Sequence, residues 1–365
     1  MPRPTLIDID LAALKHNARL ARSLAGTKQL MAAVKADAYG HGMLACAQTL
    51  SSVTDALAVA FTEEAITLRD AGLEQPILIL EGPFDHQDLA EISAHGLWPV
   101  LHSHEQLVLL EANAGCYPES VWIKIDTGMH RLGFAPDDIE TVLARLEAAG
   151  CREIVLMSHL AFAEEPESDL TLRQLQRWKQ LSQRSNLKTS FVNSAGLITQ
   201  LPVSSDWVRP GYMLYGGRAS ERFLSLPLAP VMHFTSAVMA LRQINPGESV
   251  GYGGRWQAQR TTTVATVPVG YGDGYPRTAE NGTPIWIAGA LCPLVGRVSM
   301  DMITVDVTDH PHIGIGSPVE LWGRRLSVDT VAVHAKTIGY ELLTRMPQRA
   351  PRHYRHRTDA SPLLS

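Results

Sequence analysis

Residues 33–42 read AVKADAYGHG, a lysine between an apolar run and a glycine-rich turn. An apolar run from Gln29 to Val34 (QLMAAV) reads as a short buried strand, it ends on Lys35, and a glycine-rich turn follows at once. Beyond Gly42 the apolar positions Met43, Leu44, Cys46, Ala47 and Leu50 recur at helical spacing. Strand, loop and helix in that order make one β/α unit, with Lys35 at the C-terminal end of its strand. In parallel α/β sheets that end is where ligands bind. A lysine there is ordinarily a surface residue whose stem packs on apolar neighbours. Its role therefore depends on what the other units place beside it.

The unit repeats. Short apolar runs at 56–61, 77–80, 98–101, 121–125, 154–158, 190–193 and 206–209 alternate with amphipathic segments that start near Thr62, His86, Ser103, Asp137, Asp169 and Ser194. With QLMAAV this gives eight strands, and eight alternating units predict a (β/α)8 barrel of the TIM type. Asp10 reads as the cap of a preceding helix with Leu11, Leu14, Ala18 and Ala21 on its buried stripe and Gly26 at its end. After about Ser220 helical periodicity fades into β-rich runs such as TTTVATVPVG and TPIWIAG, separated by Gly, Pro and Asn turns. The expected division is a barrel over 1–225 and a smaller, mostly antiparallel β domain over 226–365, with one late helix near Val328 to His334.

Hydrophobic content of 45%, charged content of 19% and a net charge of −5 exclude a disordered chain and give no electrostatic footprint for nucleic acid. A small-molecule protein is expected. No apolar stretch approaches the roughly 20 residues that cross a bilayer, and MPRPTLIDIDL lacks a signal-peptide core, so the expected location is the cytoplasm. Cys46, Cys116, Cys151 and Cys292 have no paired spacing, which argues against a metal site and reads as core cysteines. The tail from Arg345 carries Arg349, Arg352, Arg355 and Arg357 and reads as a solvated or packed end.

The polar residues at the strand ends test the first reading. Lys35 follows strand one, Arg131 lies beyond strand five, His159 follows strand six, Asn193 and Ser194 follow strand seven, and Arg209 ends strand eight. In a barrel these converge on one mouth, a cationic site suited to an anionic ligand such as a phosphate. Asn193-Ser194-Ala195-Gly196 opens a helix at the place where barrels commonly seat phosphate, although Asn-Ser is also an ordinary helix cap.

These stretches carry a family resemblance over nearly the whole chain. AVKADAYGHG, KIDTGMHRLGF (124–134), NSAG (193–196), WVRPGYMLYG (207–216), GYGGRW (251–256), GYGDGYPR (270–277), VGRVSMDM (295–302) and GYELL (339–343) resemble the motifs of bacterial alanine racemases, which use pyridoxal 5′-phosphate (PLP). The resemblance implies that Lys35 is the Schiff-base residue and one of two bases, and that Tyr252 is the second, acting from the opposite face of the substrate. It implies Tyr39, Ser194, Gly211, Tyr212 and Tyr340 at the cofactor phosphate, with Asn193 beside them. Arg209 would face the pyridine nitrogen, and His159 would hydrogen-bond toward Arg209 and the ring. Arg131, helped by the backbone at Met300, would bind the substrate carboxylate. Asp301 and Tyr271 would lie at the channel. Lys124 aligns with a lysine that some members carry as a carbamate; an ordinary salt-bridged lysine is the alternative. Tyr252 works in the partner's site in this family, which implies a homodimer. One departure is Ser299, where some members have cysteine.

Two alternatives stay open on the sequence. PLP-dependent amino-acid decarboxylases share the architecture, but no extended glycine-rich phosphate loop of their kind is present, and Tyr252 with Arg209 favours a racemase. Broad-specificity racemases share most of the motifs; interconversion of L-alanine and D-alanine, supplying or consuming D-alanine for peptidoglycan, is the expected activity.

Overall fold

A computed structural model describes residues 3–113, 118–184 and 186–356; Cys116 and Arg357 lie outside the described residues. Eight parallel strands close a barrel: β2 (Gln29–Ala33), β3 (Ala56–Val59), β4 (Ile77–Ile79), β5 (Trp98–Leu101), β6 (Ser120–Lys124), β7 (Glu153–Met157), β8 (Lys188–Asn193) and β9 (Trp207–Arg209). β9 pairs back onto β2 through Gln29 and Leu30, so the eight-unit reading and the closure agree. Among the described residues no helix is long and apolar enough to cross a membrane.

Period-two alternation along the strands sorts the core into two layers. Outward residues such as Leu57, Val59, Val121 and Ile123 pack beneath the helices. Inward residues Met31, Ala56, Ala58, Leu78, Val100, Trp122, Val155, Met157 and Trp207 fill the barrel. Trp122 and Trp207 pack edge to face at 5.7 Å between ring centroids, with Trp98 against both, and together they plug the lower barrel. Higher up the inward positions are small, Ala33 and Ala58, and that change from indole to methyl opens a cavity at the C-terminal mouth.

The chain does not enter the barrel first. Leu6–Asp10 forms β1, the neighbour of Met232–Ala237 (β10) and Arg352–Arg355 in a six-stranded sheet of the second domain. The sequence reading passed over this strand, because its partners lie more than two hundred residues away and nothing local announces them. Asp10 nevertheless caps the helix Leu11–Ala25 as expected, accepting from the Ala13 amide at 2.9 Å. Beyond β10, the sheet continues through Pro318–Trp322, Pro284–Ile287 and Ala290–Pro293, and Ala240–Ile244, Thr262–Val267 and Ile303–Asp306 form a separate antiparallel sheet. Val328–His334 is helical as the sequence predicts. Cys46 and Cys292 are buried and Cys151 half-buried.

Candidate active site

The inward alternation that builds the core continues past the strand ends and supplies the site. Met31 and Ala33 are followed by Lys35, Trp122 by Lys124, Val155 and Met157 by His159, and Trp207 by Arg209. These side chains meet Arg131 in one cavity of about 360 Å³. Tyr39, Asn193, Ser194, Gly211, Tyr212 and Tyr340 line the same space. Five basic side chains there face one carboxylate, Glu81.

The segment that carries Lys35 departs from the sequence reading. Ala36, Asp37, Ala38 and Tyr39 all have φ of 53°, so the glycine-rich turn begins as a left-handed helical turn of residues other than glycine. Each such residue costs about 1–2 kcal/mol, because Cβ crowds the following carbonyl. A turn of this kind persists only where its surroundings over-determine it. Glu64 accepts from the Ala36 amide at 2.7 Å, and the Tyr39 ring stacks on Tyr215 at 4.8 Å.

Burial sets the charge states. It lowers the Lys35 pKa with help from Arg131, against Glu81 and Glu64, which favour the ammonium. It lowers Lys124 to about 8, again with Arg131, Arg209 and Lys35 adding to the effect. His159 falls to about 3 through burial and then the positive charge of Arg209, so its imidazole is neutral. Arg209, fully enclosed, is lowered to about 10 by burial and remains a cation.

Arg209 donates to Ser190 Oγ and, at 2.7 Å, to the Ser158 carbonyl. The sequence reading expected a hydrogen bond between His159 and Arg209; here the arginine is anchored by the backbone next door and acts on His159 as a nearby charge. Arg131 stands on a loop ordered by Asp126, whose Oδ1 accepts from the amides of Gly128, Met129 and His130 at 2.9–3.1 Å. Burial raises the Asp126 carboxyl, but the Gly128 and His130 amides together with the charge and hydrogen bond of the His130 side chain outweigh it and hold the carboxyl below its usual range.

On the opposite wall, Ser194 Oγ accepts from the Gly211 amide at 2.9 Å, and Asn193 caps its helix through the Gly196 amide at 2.9 Å. A Cβ on Gly211 would lie 2.3 Å from the Tyr39 hydroxyl, so only glycine allows these two loops to close together. Burial raises the Tyr39 phenol to about 12, which keeps it a hydrogen-bond donor. Tyr212 stacks on Tyr340 with ring centroids 3.7 Å apart, and its hydroxyl donates to Asp329 at 2.6 Å rather than into the cavity. A cation-rich cavity with a desolvated amine on one side and hydroxyl and amide groups on the other fits an elongated anion that carries a carbonyl. The buried Arg209, whose hydrogen-bond partners are a carbonyl and a hydroxyl, can face a ring nitrogen from its position on β9.

The remaining expected residues are not brought into this cavity. Tyr252 is 69% exposed and Met300 53% exposed, and both lie in the second domain with Tyr271 and Asp301. The Tyr271 and Gly272 amides donate to the Ser299 and Met300 carbonyls at 3.0 and 2.9 Å, which holds the segments carrying Tyr271 and Met300 together. The sequence reading missed Glu81, Glu64 and Asp329. Glu81 was within reach of the same strand-end rule, since it follows the run ILIL. Glu64 and Asp329 carry no such signal, because their partners are a strained turn and a tyrosine hydroxyl.

Residues 9–219 match the alanine racemase N-terminal domain, and residues 231–354 match the alanine racemase C-terminal domain. The alanine racemase of Chromohalobacter salexigens is 47% identical over 360 residues, covering 98% of this chain and 99% of that protein. The catabolic alanine racemase of Pseudomonas putida is 46% identical over 355 residues, 96% of this chain and 99% of that one. Among solved structures, the biosynthetic alanine racemase from Pseudomonas aeruginosa superposes with a TM-score of 0.94 at 43% identity, covering 97% of this chain and 100% of that one. Two family domains spanning almost the full length, on a barrel mouth built from the motif residues, lead to one conclusion: this chain belongs to the alanine racemase family.

Proposed function

We propose that the chain is a PLP-dependent alanine racemase that interconverts L-alanine and D-alanine by a two-base mechanism in a homodimer with shared active sites. One observation carries this reading. Lys35, Arg131 and Arg209 converge in one cavity, whereas Tyr252 and Met300 lie outside it, both exposed, in the second domain of the same chain. A second copy that lays these two residues over the barrel mouth completes the site.

When bound, PLP supplies a conjugated electron-accepting system that acidifies the substrate Cα–H. The chain's own residues do the rest. Lys35 would hold the cofactor covalently until the substrate amine replaces it, and the lysine amine so released, favoured in the neutral form by burial, would move the proton on one side of Cα. Tyr252 of the partner subunit serves the other side, and placement of the two groups on opposite faces makes inversion the outcome. Arg131 binds the substrate carboxylate in a two-pronged pair, assisted by the backbone at Met300 of the partner subunit. Arg209, a cation, would stand toward the ring nitrogen and disfavour a proton there. His159 stays neutral beside Arg209. Tyr39, Asn193, Ser194, Gly211, Tyr212 and Tyr340 form the phosphate end of the cavity, with Tyr212 contributing its ring and backbone. Asp301 and Tyr271 stand at the channel. The enzyme would act in the cytoplasm on D-alanine entering or leaving peptidoglycan; the similar proteins include both a biosynthetic and a catabolic alanine racemase.

Mixing Lys35→Ala and Tyr252→Phe chains tests the shared site. Neither variant alone should racemise alanine at an appreciable rate, and the mixed dimer should regain one working site. Failure of the mixture to recover activity, or release of carbon dioxide in place of inversion, would remove the proposal.

A further inference from the structure

We propose that Arg352 is a positioning residue for Lys35, fixing from the C-terminal strand the left-handed turn that carries the amine into the cavity. The turn from Ala36 to Tyr39 is intrinsically costly, so something outside it must hold it. Its first amide is satisfied by Glu64 at 2.7 Å, and Asp37 closes it locally, accepting from the Gly42 and Met43 amides at 2.9 and 2.7 Å. The far end is held by the second domain of the same chain. Arg352 Nε donates to the Gly40 carbonyl at 3.1 Å, its Nη2 donates to the Met346 carbonyl at 3.0 Å, and the same nitrogen lies 3.7 Å from Asp37 Oδ2.

One guanidinium therefore ties the turn to the segment that follows the helix Gly339–Thr344. That helix presses on the turn directly. At Gly40, where φ is +78°, a Cβ would fall 1.9 Å from the Leu343 carbonyl. The Arg352 side chain is only 14% exposed, so its hydrogen bonds compete little with water. Arg352 is itself placed by the parallel pairing of its strand with β1, where it stands opposite Ile7. A planar fork with fixed donors can serve two carbonyls at once; a lysine ammonium in its place can neutralise Asp37 but offers no rigid fork to hold both carbonyls in that geometry. Loss of the fork leaves the Gly40 carbonyl short of a donor and frees the turn to relax, which moves Lys35 relative to Arg131 and Arg209.

A purely structural contribution of the strand is separable from this role. Arg355, on the same strand, pairs with Asp8 at 2.6 and 3.1 Å, an interaction within the sheet and away from the turn. The inference rests on the reading that Lys35 holds the cofactor, and the test separates the two. Holoenzymes of the unaltered chain, Arg352→Gln, Arg352→Lys and Arg355→Gln are compared by amide hydrogen exchange over residues 36–43, by the dissociation constant for PLP, and by thermal unfolding. Arg352→Gln should speed exchange across the turn and weaken PLP binding about tenfold or more, with Arg352→Lys between it and the unaltered chain. Arg355→Gln should unfold at lower temperature with exchange over 36–43 and PLP affinity unchanged. Equal exchange and affinity in Arg352→Gln and the unaltered chain would overturn the proposal, as would equal loosening by Arg355→Gln. Should Arg352→Gln not fold, Arg352→Lys against Arg355→Gln decides by the same two readouts. An unaltered chain that takes up no PLP would sink the proposed function, while the exchange comparison would still judge the clasp.

Discussion

Replacing Asp273 by Asn removes one negative charge from an ionic cluster of the second domain whose carboxylate is buried. Asp273 is fully buried in the turn Tyr271–Asp273. Its carboxylate is approached by Arg3 from one end of the chain and by Arg349 Nε, 3.3 Å from Oδ1, from the other. Oδ2 accepts from the Gly270 amide at 3.0 Å, whereas Oδ1 has no aligned donor among the described residues and is held by charge. Asparagine keeps the acceptor for Gly270 and loses the attraction for both guanidiniums. Removing one partner of a buried ion pair costs about 3–5 kcal/mol. Here the arginines are 34% and 44% exposed and can rehydrate, so about 2–3 kcal/mol is expected. Arg349 also donates to Asp301 at 2.5 Å, beside the Met300 backbone, so the change should reach the proposed substrate end as well. Urea unfolding should show the loss of stability, and the KM for L-alanine should rise severalfold with a smaller effect on kcat. Combined with Arg349→Met, the losses should fall short of the sum by about 1 kcal/mol. A loss below about 0.5 kcal/mol, or strictly additive losses, would refute this account.

Three further outcomes follow from the charge states and the proposed geometry. Burial depresses the imidazoles of His41, His159 and His233 to about 4, about 3 and about 4, so they take up protons on unfolding. Their contribution is complete above about pH 6.5 and is lost as pH falls, by up to about 2 kcal/mol each at about pH 5; an unchanged urea midpoint between about pH 7.5 and about pH 5 would contradict it. Lys124, lowered to about 8 chiefly by burial and Arg131, should take up carbon dioxide as a carbamate in bicarbonate near that pH. Intact-protein mass spectrometry should show an acid-labile gain of one carbon dioxide that Lys124→Arg abolishes, and absence of the gain would reject the modification. Tyr252→Phe should slow solvent-proton exchange far more in one enantiomer than in the other, and equal slowing would count against the two-base assignment.

Much of the barrel and its mouth can be read locally, because strands, capped helices and strand-end polar residues each leave their mark within about ten residues. Lys35, His159 and Arg209 were found this way, since the alternation that buries Met31, Met157 and Trp207 also aims them inward; Lys124, aimed inward behind Trp122 in the same manner, was reached only through the family resemblance. Long-range placement was less legible. β1 carries LIDID, an alternation whose acidic positions look solvent-facing, yet Asp8 and Asp10 are buried and paired with Arg355 and Arg324. Their partners come from the last part of the chain, and no local rule connects the two.

The turn after Lys35 shows the deeper reason. Local propensity argues against four consecutive left-handed residues in Ala36-Asp37-Ala38-Tyr39, because none is glycine and each pays a steric cost. What decides the conformation is the company: Glu64 beneath the first amide, Tyr215 against the Tyr39 ring, Leu343 against Gly40 and Arg352 on its carbonyl. Three of these four groups lie at residue 215 or beyond, and two belong to the C-terminal domain. The strain thus sits beside the proposed cofactor lysine and is opposed by contacts that form only when both domains are folded. Lys35 is therefore set in place by tertiary structure, and a strand-by-strand reading can find the residue without finding what aims it.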